Sequence, residues 1–276
     1  MRRPSFHHVA FRAIFGLVLF VLLCRPAVAR GSERPDELSG PVISTGQSRG
    51  TPAQGTPDFL FGRPRGSVGI RSGWMFARAG SDLFTFVQDR LTINRKDFNA
   101  PALAADLGIV VAPRTEAVFG FDFSRSSTAS EYRAFVDNNR LPIKQDTRLQ
   151  HLTLSGSVKF ALLPRGREVS RYAWVPRTVT PYAGAGGGAL WYELRQEGDF
   201  VDFTNFRVFG DTFRSRGWTP SAHVFGGVDV KLWRRLYFTS EARYLWSHGV
   251  LGRDFSGFQP IDLAGFKMTA GISGVF

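Results

Sequence analysis

Ser247, His248 and Glu241 are the side-chain types of a nucleophile, a base and an orienting carboxylate, and they fall within seven residues of one another. All three lie on a segment of alternating polarity. Adjacent residues of a strand point to opposite faces, so Ser247 and His248 cannot share a proton. Glu241 stands roughly 20 Å away along an extended chain. The spacing therefore predicts no catalytic residues. No two of the five histidines have metal-ligand spacing, so no metal is expected, and His151 and His223 are expected to be satisfied side chains facing an interior. Gly184-Ala185-Gly186-Gly187-Gly188-Ala189 formally fits a dinucleotide fingerprint. That motif works by opening a helix, whereas Leu190 to Arg195 continue as a strand, so no cofactor is expected.

Aromatic residues in polar segments are a different signal. Phe200, Phe203, Phe206, Phe209 and Phe213 are interleaved with Asp199, Asp202, Arg207, Asp211, Arg214 and Arg216. Water-exposed loops do not normally hold this much aromatic surface. Phe203, Phe206 and Phe209 are accordingly the candidate binding residues. Leu83, Phe84, Phe86, Val87 and Leu91 have the spacing of a short amphipathic helix behind Ser81-Asp82 as its N-cap. Two readings stay open for these loops. They form a face for a hydrophobic ligand or partner, or they pack on one another as a lid.

Strands carry these residues and the loops between them. Phe266, Met268, Ala270, Ile272, Gly274 and Phe276 share one face of the last segment, and Lys267, Thr269, Gly271 and Ser273 the other. Segments 236–247, 221–232 and 148–162 alternate in the same way, which is the period of a β-strand. Four more run near 66–78, 103–112, 116–125 and 179–195, the last with Tyr182, Leu190, Tyr192 and Leu194 assigned to the apolar face. About eight strands of roughly ten residues suit tilted membrane crossings.

The connections also alternate in length. Pro113-Arg114-Thr115 and Trp233-Arg234-Arg235 are short, Leu163 to Thr178 is somewhat longer, and 79–101, 126–146, 196–217 and 248–261 are long. Short periplasmic turns and long external loops follow this rhythm in membrane barrels. The fold expected is all-β, a transmembrane antiparallel up-and-down β-barrel of about eight strands. Arg71, Lys159, Arg195, Lys231, Arg243 and Lys267 would then face the same lumen as Asp106, Asp122, Glu193, Asp229 and Glu241, and a narrow barrel makes them pair. Trp74, Tyr192, Trp218, Tyr244 and Trp246 at one rim, with Tyr182, Phe160, Trp233 and Phe276 at the other, have the layout of two aromatic girdles.

The N-terminus settles the expected compartment. Arg2 and Arg3 precede an apolar run from Ala13 to Leu23, and Ala27-Val28-Ala29 offers the small residues of a cleavage site. Residues 1–29 are read as a signal peptide, which takes Cys24 with it. Residues 30–57 are a polar, Gly/Pro/Ser/Thr-rich periplasmic leader, and 58–276 the barrel domain. The formal charge of +12 falls by the four signal arginines to +8. For an exported chain that balance points to anionic lipid or lipopolysaccharide and not to nucleic acid.

Phe276 closes an alternating, aromatic-containing strand, which resembles the C-terminal signal read by the outer-membrane assembly machinery. Over residues 60–276 the chain resembles the small outer-membrane barrels of the outer-membrane protein A-like and W-like kind. The resemblance implies fold and a bacterial outer-membrane location, and hardly an activity. The function expected is non-enzymatic, with loops contacting lipopolysaccharide, a hydrophobic small molecule or a protein partner. A narrow channel and a barrel-embedded lipid-modifying hydrolase are the alternatives. A soluble lipocalin-like barrel is the structural rival, because alternation alone does not assign which face is outside.

Overall fold

The computed structural model describes residues 59–276 except 138, 139 and 206. The expected signal peptide and leader, 1–29 and 30–57, and the candidate residue Phe206 lie outside the described residues. A two-residue strand, β1 (Leu60–Phe61), precedes β2 (Gly66–Ala77), helix α1 (Asp82–Arg90), β3 (Ala100–Ala112), β4 (Thr115–Val136) and β5 (Pro142–Ala161). A hairpin of β6 (Gly166–Ser170) and β7 (Ala173–Pro176) follows, then β8 (Val179–Val201), β9 (Val208–Lys231), β10 (Leu236–Gly249), β11 (Ile261–Asp262) and β12 (Gly265–Val275).

Eight of these strands form a closed ring in the order β2-β3-β4-β5-β8-β9-β10-β12, every pair antiparallel. β12 closes onto β2 with Ile272 opposite Ile70. The fold is a transmembrane-type, antiparallel up-and-down β-barrel. Outward positions carry the apolar set expected of it, with Val68, Ile70, Ile109, Phe119, Val158 and Ile272 all exposed. Closure leaves no unpaired edge, which is what lets strands stand in lipid. The lipocalin-like alternative has the opposite polarity.

Both described chain ends meet at one rim, where Arg65 N and Gly66 N donate to Phe276 O. This terminal rim holds the short turns. The opposite, loop rim is uneven. β2, β3, β10 and β12 have 12, 13, 14 and 11 residues, but β4, β5, β8 and β9 have 22, 20, 23 and 24. Much of the expected long loops 126–146 and 196–217 is therefore strand. The two hairpins rise well past the roughly 9–11 residues a crossing needs.

Polarity inverts along this extension. Tyr192, Leu190 and Leu194 point inward and are buried, and so is Tyr182 lower in the same strand. Trp191, Glu193 and Arg195 take the outer face. This corrects the expected faces of 179–195: neither tyrosine belongs to a girdle, and Glu193 and Arg195 are not luminal. Tyr182 turns inward within the belt, where it donates to Glu241 at 3.2 Å; for Tyr192, Glu193 and Arg195 the physical reason is the change of solvent. Beyond a bilayer the barrel faces water, so the extension follows the rule of a soluble sheet, apolar inside and polar outside.

Inside the extension sits an apolar plug. Leu83, Phe84 and Val87 of α1 pack with Ile93, Phe98, Phe255, Ile261 and Leu263 against the inward Leu149, Leu190, Leu194 and Leu245. Phe84 meets Phe98 edge-on at 4.7 Å. Ser81 is the N-cap residue as expected, but its hydroxyl makes no capping bond. Asp82 instead accepts from Leu83 N at 2.8 Å and from Gln259 N at 3.0 Å, tying α1 to the 249–264 loop.

Candidate functional site

The lumen beneath the plug is an ion-pair layer. Asp122 accepts from Arg243 and from Lys267, both at 3.0 Å. Arg243 also reaches Glu241 at 2.9 Å, and Arg71 bridges Asp106 at 2.6 Å and Glu241 at 3.6 Å. Nearer the terminal rim Lys159 pairs with Asp229 at 2.8 Å. Each charge finds an opposite partner, as buried charges must. The expected paired lumen is thus present in these eight groups. Tyr182 donates to Glu241 at 3.2 Å, and its ring lies 3.8 Å from Lys159 Nζ. Gly184 leaves room for the inward Phe225 ring, which a Cβ there would strike at 2.3 Å. The glycine run is strand throughout, so it opens no helix and offers no dinucleotide site.

The terminal mouth is capped by β1, β6 and β7, which form a three-stranded sheet that buries Trp174. Glu116 is almost fully buried and accepts from Arg165 at 2.6 Å and from Ser67. A cavity of about 60 Å³ lies there, lined by Ser67, Asp106, Lys159, Trp174 and Thr239 among others. That is room for a few water molecules. Sequence reasoning missed Glu116, although it stands in phase with Asp122 on the same strand.

Ser247, His248 and Glu241 are not brought together. Ser247 faces inward and donates to Pro220 O at 3.0 Å, while His248 faces outward, 4.0 Å from Asp262. A Ser–His contact that the sequence did not reveal joins Ser157 Oγ to His223 Nε2 at 2.8 Å, across strands. His223 Nδ1 has no partner, so no third group orients that imidazole. His151 Nε2 is likewise without one, so these luminal histidines are not fully satisfied as expected. Among the described residues no group of three His, Cys, Asp or Glu converges on a metal position.

At the loop tips, Phe203 packs on Phe135 at 5.8 Å, and the Arg90 guanidinium lies 5.0 Å from its centroid. Phe209 stacks against Phe200 at 6.1 Å. Each keeps about two fifths of its surface outward, 45% for Phe203 and 40% for Phe209. Beside them Asp202 accepts from Thr204 N at 2.8 Å, and that bond holds its carboxyl below the usual range. The tips of α1, β4 and the β8–β9 hairpin thus touch through aromatic and cation–π contacts.

The outer face of the extension carries a second charged array. Phe123, Leu152, Trp191 and Trp218 are lateral neighbours across β4, β5, β8 and β9. Two residues higher the same strands place Arg125, Gln150, Glu193 and Arg216 side by side. Two residues higher again come Ser127, Arg148, Arg195 and Arg214. Three arginines therefore stand directly opposite one another on one face. Like charges in that position repel. Glu197 offsets Arg195 at 2.9 Å and Glu193 offsets Arg214 at 2.8 Å. Among the described residues Arg125, Arg148 and Arg216 have no carboxylate within 4 Å, and the Nε atoms of Arg148 and Arg195 are unpartnered. The array went unseen in sequence because it exists only in the register.

No protein-family model matches the chain, and no curated protein matches it in sequence. Solved structures similar to it are small outer-membrane barrels. Neisserial surface protein A is 12% identical over 76% of this chain and 96% of its own, with a TM-score of 0.43. OprG from Pseudomonas aeruginosa is 11% identical over 79% and 99%, with a TM-score of 0.42. Ail, the attachment invasion locus protein of Yersinia pestis, is 11% identical over 76% and 98%, with a TM-score of 0.39.

Proposed function

We propose that this protein is a non-enzymatic resident of a bacterial outer membrane, closed in its lumen, that holds lipopolysaccharide phosphates against the outer face of its loop-rim extension. The observation that carries the reading is the lateral row Arg148–Arg195–Arg214. Two residues of strand advance about 6.8 Å, or roughly 5 Å of depth once tilted. Each arginine therefore stands about 5 or 10 Å beyond Phe123, Leu152, Trp191 or Trp218 on its own strand, at headgroup depth. A guanidinium row is a natural seat for phosphate, because its planar donors meet phosphate oxygens in pairs. Phe203 and Phe209, half-exposed at the tip above the row, are the proposed apolar contacts, with Phe206 beside them in sequence.

The test is refolding of the full chain into phosphatidylcholine vesicles with and without lipopolysaccharide, followed by thermal unfolding. Lipopolysaccharide should raise the midpoint for the natural protein. The triple variant Arg148→Gln, Arg195→Gln, Arg214→Gln should fold and lose that rise. An equal rise in both proteins sinks the reading.

A further inference from the structure

The positive charge of the described barrel is not spread over it. Residues 59–276 hold 28 basic and 19 acidic side chains. The lumen layer is balanced, with Arg71, Lys159, Arg243 and Lys267 against Asp106, Asp122, Asp229 and Glu241. The loop end, extension included, is near balance, with 14 basic and 13 acidic residues. The terminal rim (59–65, 113–116, 162–178 and 231–235) carries the remaining ten basic residues against two acids, Glu116 and Glu168. Almost the whole surplus is therefore at one rim.

These charges are distributed around the mouth. Arg65 enters β2, Arg114 turns β3 into β4, Arg167, Arg171 and Arg177 sit on or beside the β6–β7 hairpin, and Arg235 turns β9 into β10. All six are exposed, and among the described residues none has a carboxylate within 4 Å. Exposed apolar side chains alternate with them on the same segments: Phe61, Val169, Tyr172 and Trp233, between 61% and 82% accessible. On the adjoining strands the outward apolar belt continues with Phe160, Leu162 and Leu236.

We propose that the terminal rim is a collar for anionic phospholipid headgroups, its arginines engaging lipid phosphates while the interleaved aromatics seat in the acyl boundary. An apolar contact and a basic cluster on one segment are the two signals that together give stable lipid attachment. The ring form fits a leaflet that surrounds the barrel on every side better than a single docked macromolecule. Nucleic acid or a soluble protein would meet a patch on one side and would have no use for the belt's continuation. The proposal rests on the membrane reading above and adds the chemistry of the leaflet at the opposite rim.

The experiment refolds the full chain into phosphatidylcholine vesicles and follows trace spin-labelled phosphatidylglycerol or phosphatidylcholine by electron paramagnetic resonance, which counts motionally restricted lipid at the barrel. The natural protein should prefer the anionic label by roughly fivefold. Arg167→Gln, Arg171→Gln, Arg177→Gln and Arg235→Gln combined should bring the preference close to one. Arg148→Gln, Arg195→Gln and Arg214→Gln, at the other rim, should keep it. No preference in the natural protein, or full preference in the quadruple variant, overturns the collar. So does loss of preference on adding soluble glycerol phosphate, which would assign the site to free phosphate. Insertion is read separately by protection from added protease. A chain that does not insert overturns the membrane reading, and one that inserts without preference overturns the collar alone.

Discussion

Arg243 and Asp122 meet across the width of the barrel, Nη1 to Oδ2 at 3.0 Å, from strands four places apart in a ring of eight. Asp122 also holds Lys267 at 3.0 Å, so one carboxylate neutralises two buried cations. Removing one partner of a buried ion pair leaves an uncompensated charge, which costs about 3–5 kcal/mol. Asp122→Ala should therefore lower the unfolding free energy of the refolded barrel by that amount, read as a lower urea midpoint with the slope unchanged. A loss below about 1 kcal/mol would mean that water replaces the carboxylate at little cost.

The lumen has two barriers in series, the ion-pair layer and the apolar plug. Planar bilayers containing the refolded protein should show no stepwise current. Replacing Leu251–Phe258 with a Gly/Ser loop removes part of the plug and should leave the membrane silent, because the ion pairs remain. Current steps from the natural protein would establish a conducting lumen and restore the channel alternative.

The plug itself is locally testable through Phe84, which is 1% exposed and edge-on to Phe98. Truncation of a buried Phe costs about 3–5 kcal/mol where the site cannot collapse. Phe84→Ala should lower hydrogen-exchange protection in 79–98 and in the 249–264 loop, which Asp82 ties together through Gln259 N. Protection of β2, β3 and β12 should be unchanged, since their ladders do not depend on the plug. Uniform loss across all strands would show instead that plug and ring unfold as one unit.

How far the sequence could be read depended on which solvent each segment meets. Phe119, Phe121 and Phe123 alternate with Asp122 inside the belt, where an outward apolar face is the rule, and their faces were legible. Leu190 to Arg195 alternate just as cleanly, yet they stand where the outside is aqueous. The same rule therefore assigned them backwards. The pattern gave a phase but not a sign, and the sign changes at the rim. The lumen charges were legible as a set because a narrow barrel forces them together, but the choice of Asp106 by Arg71 is made by depth and register, and Glu116 with Arg165 lay outside the set. The arginine row was invisible for a similar reason. Arg148, Arg195 and Arg214 are far apart in sequence and adjacent only through register.

Ile70, Phe119 and Val158 are 61%, 59% and 55% accessible on the outer face, with nothing among the described residues to cover them. Monomeric soluble proteins rarely expose contiguous apolar patches of more than a few hundred Å². The ring also has no edge that could shelter those side chains by pairing with another sheet. Folding should therefore require an amphiphile. Refolded from urea into detergent, residues 30–276 should run as a compact band without boiling, shift on boiling, and give a β-rich circular dichroism spectrum. Diluted into buffer alone, the chain should aggregate and show one band regardless of heating. If it instead forms a soluble, compact monomer without detergent, the belt is not a lipid-facing surface, and both the lipopolysaccharide row and the phospholipid collar fall with it.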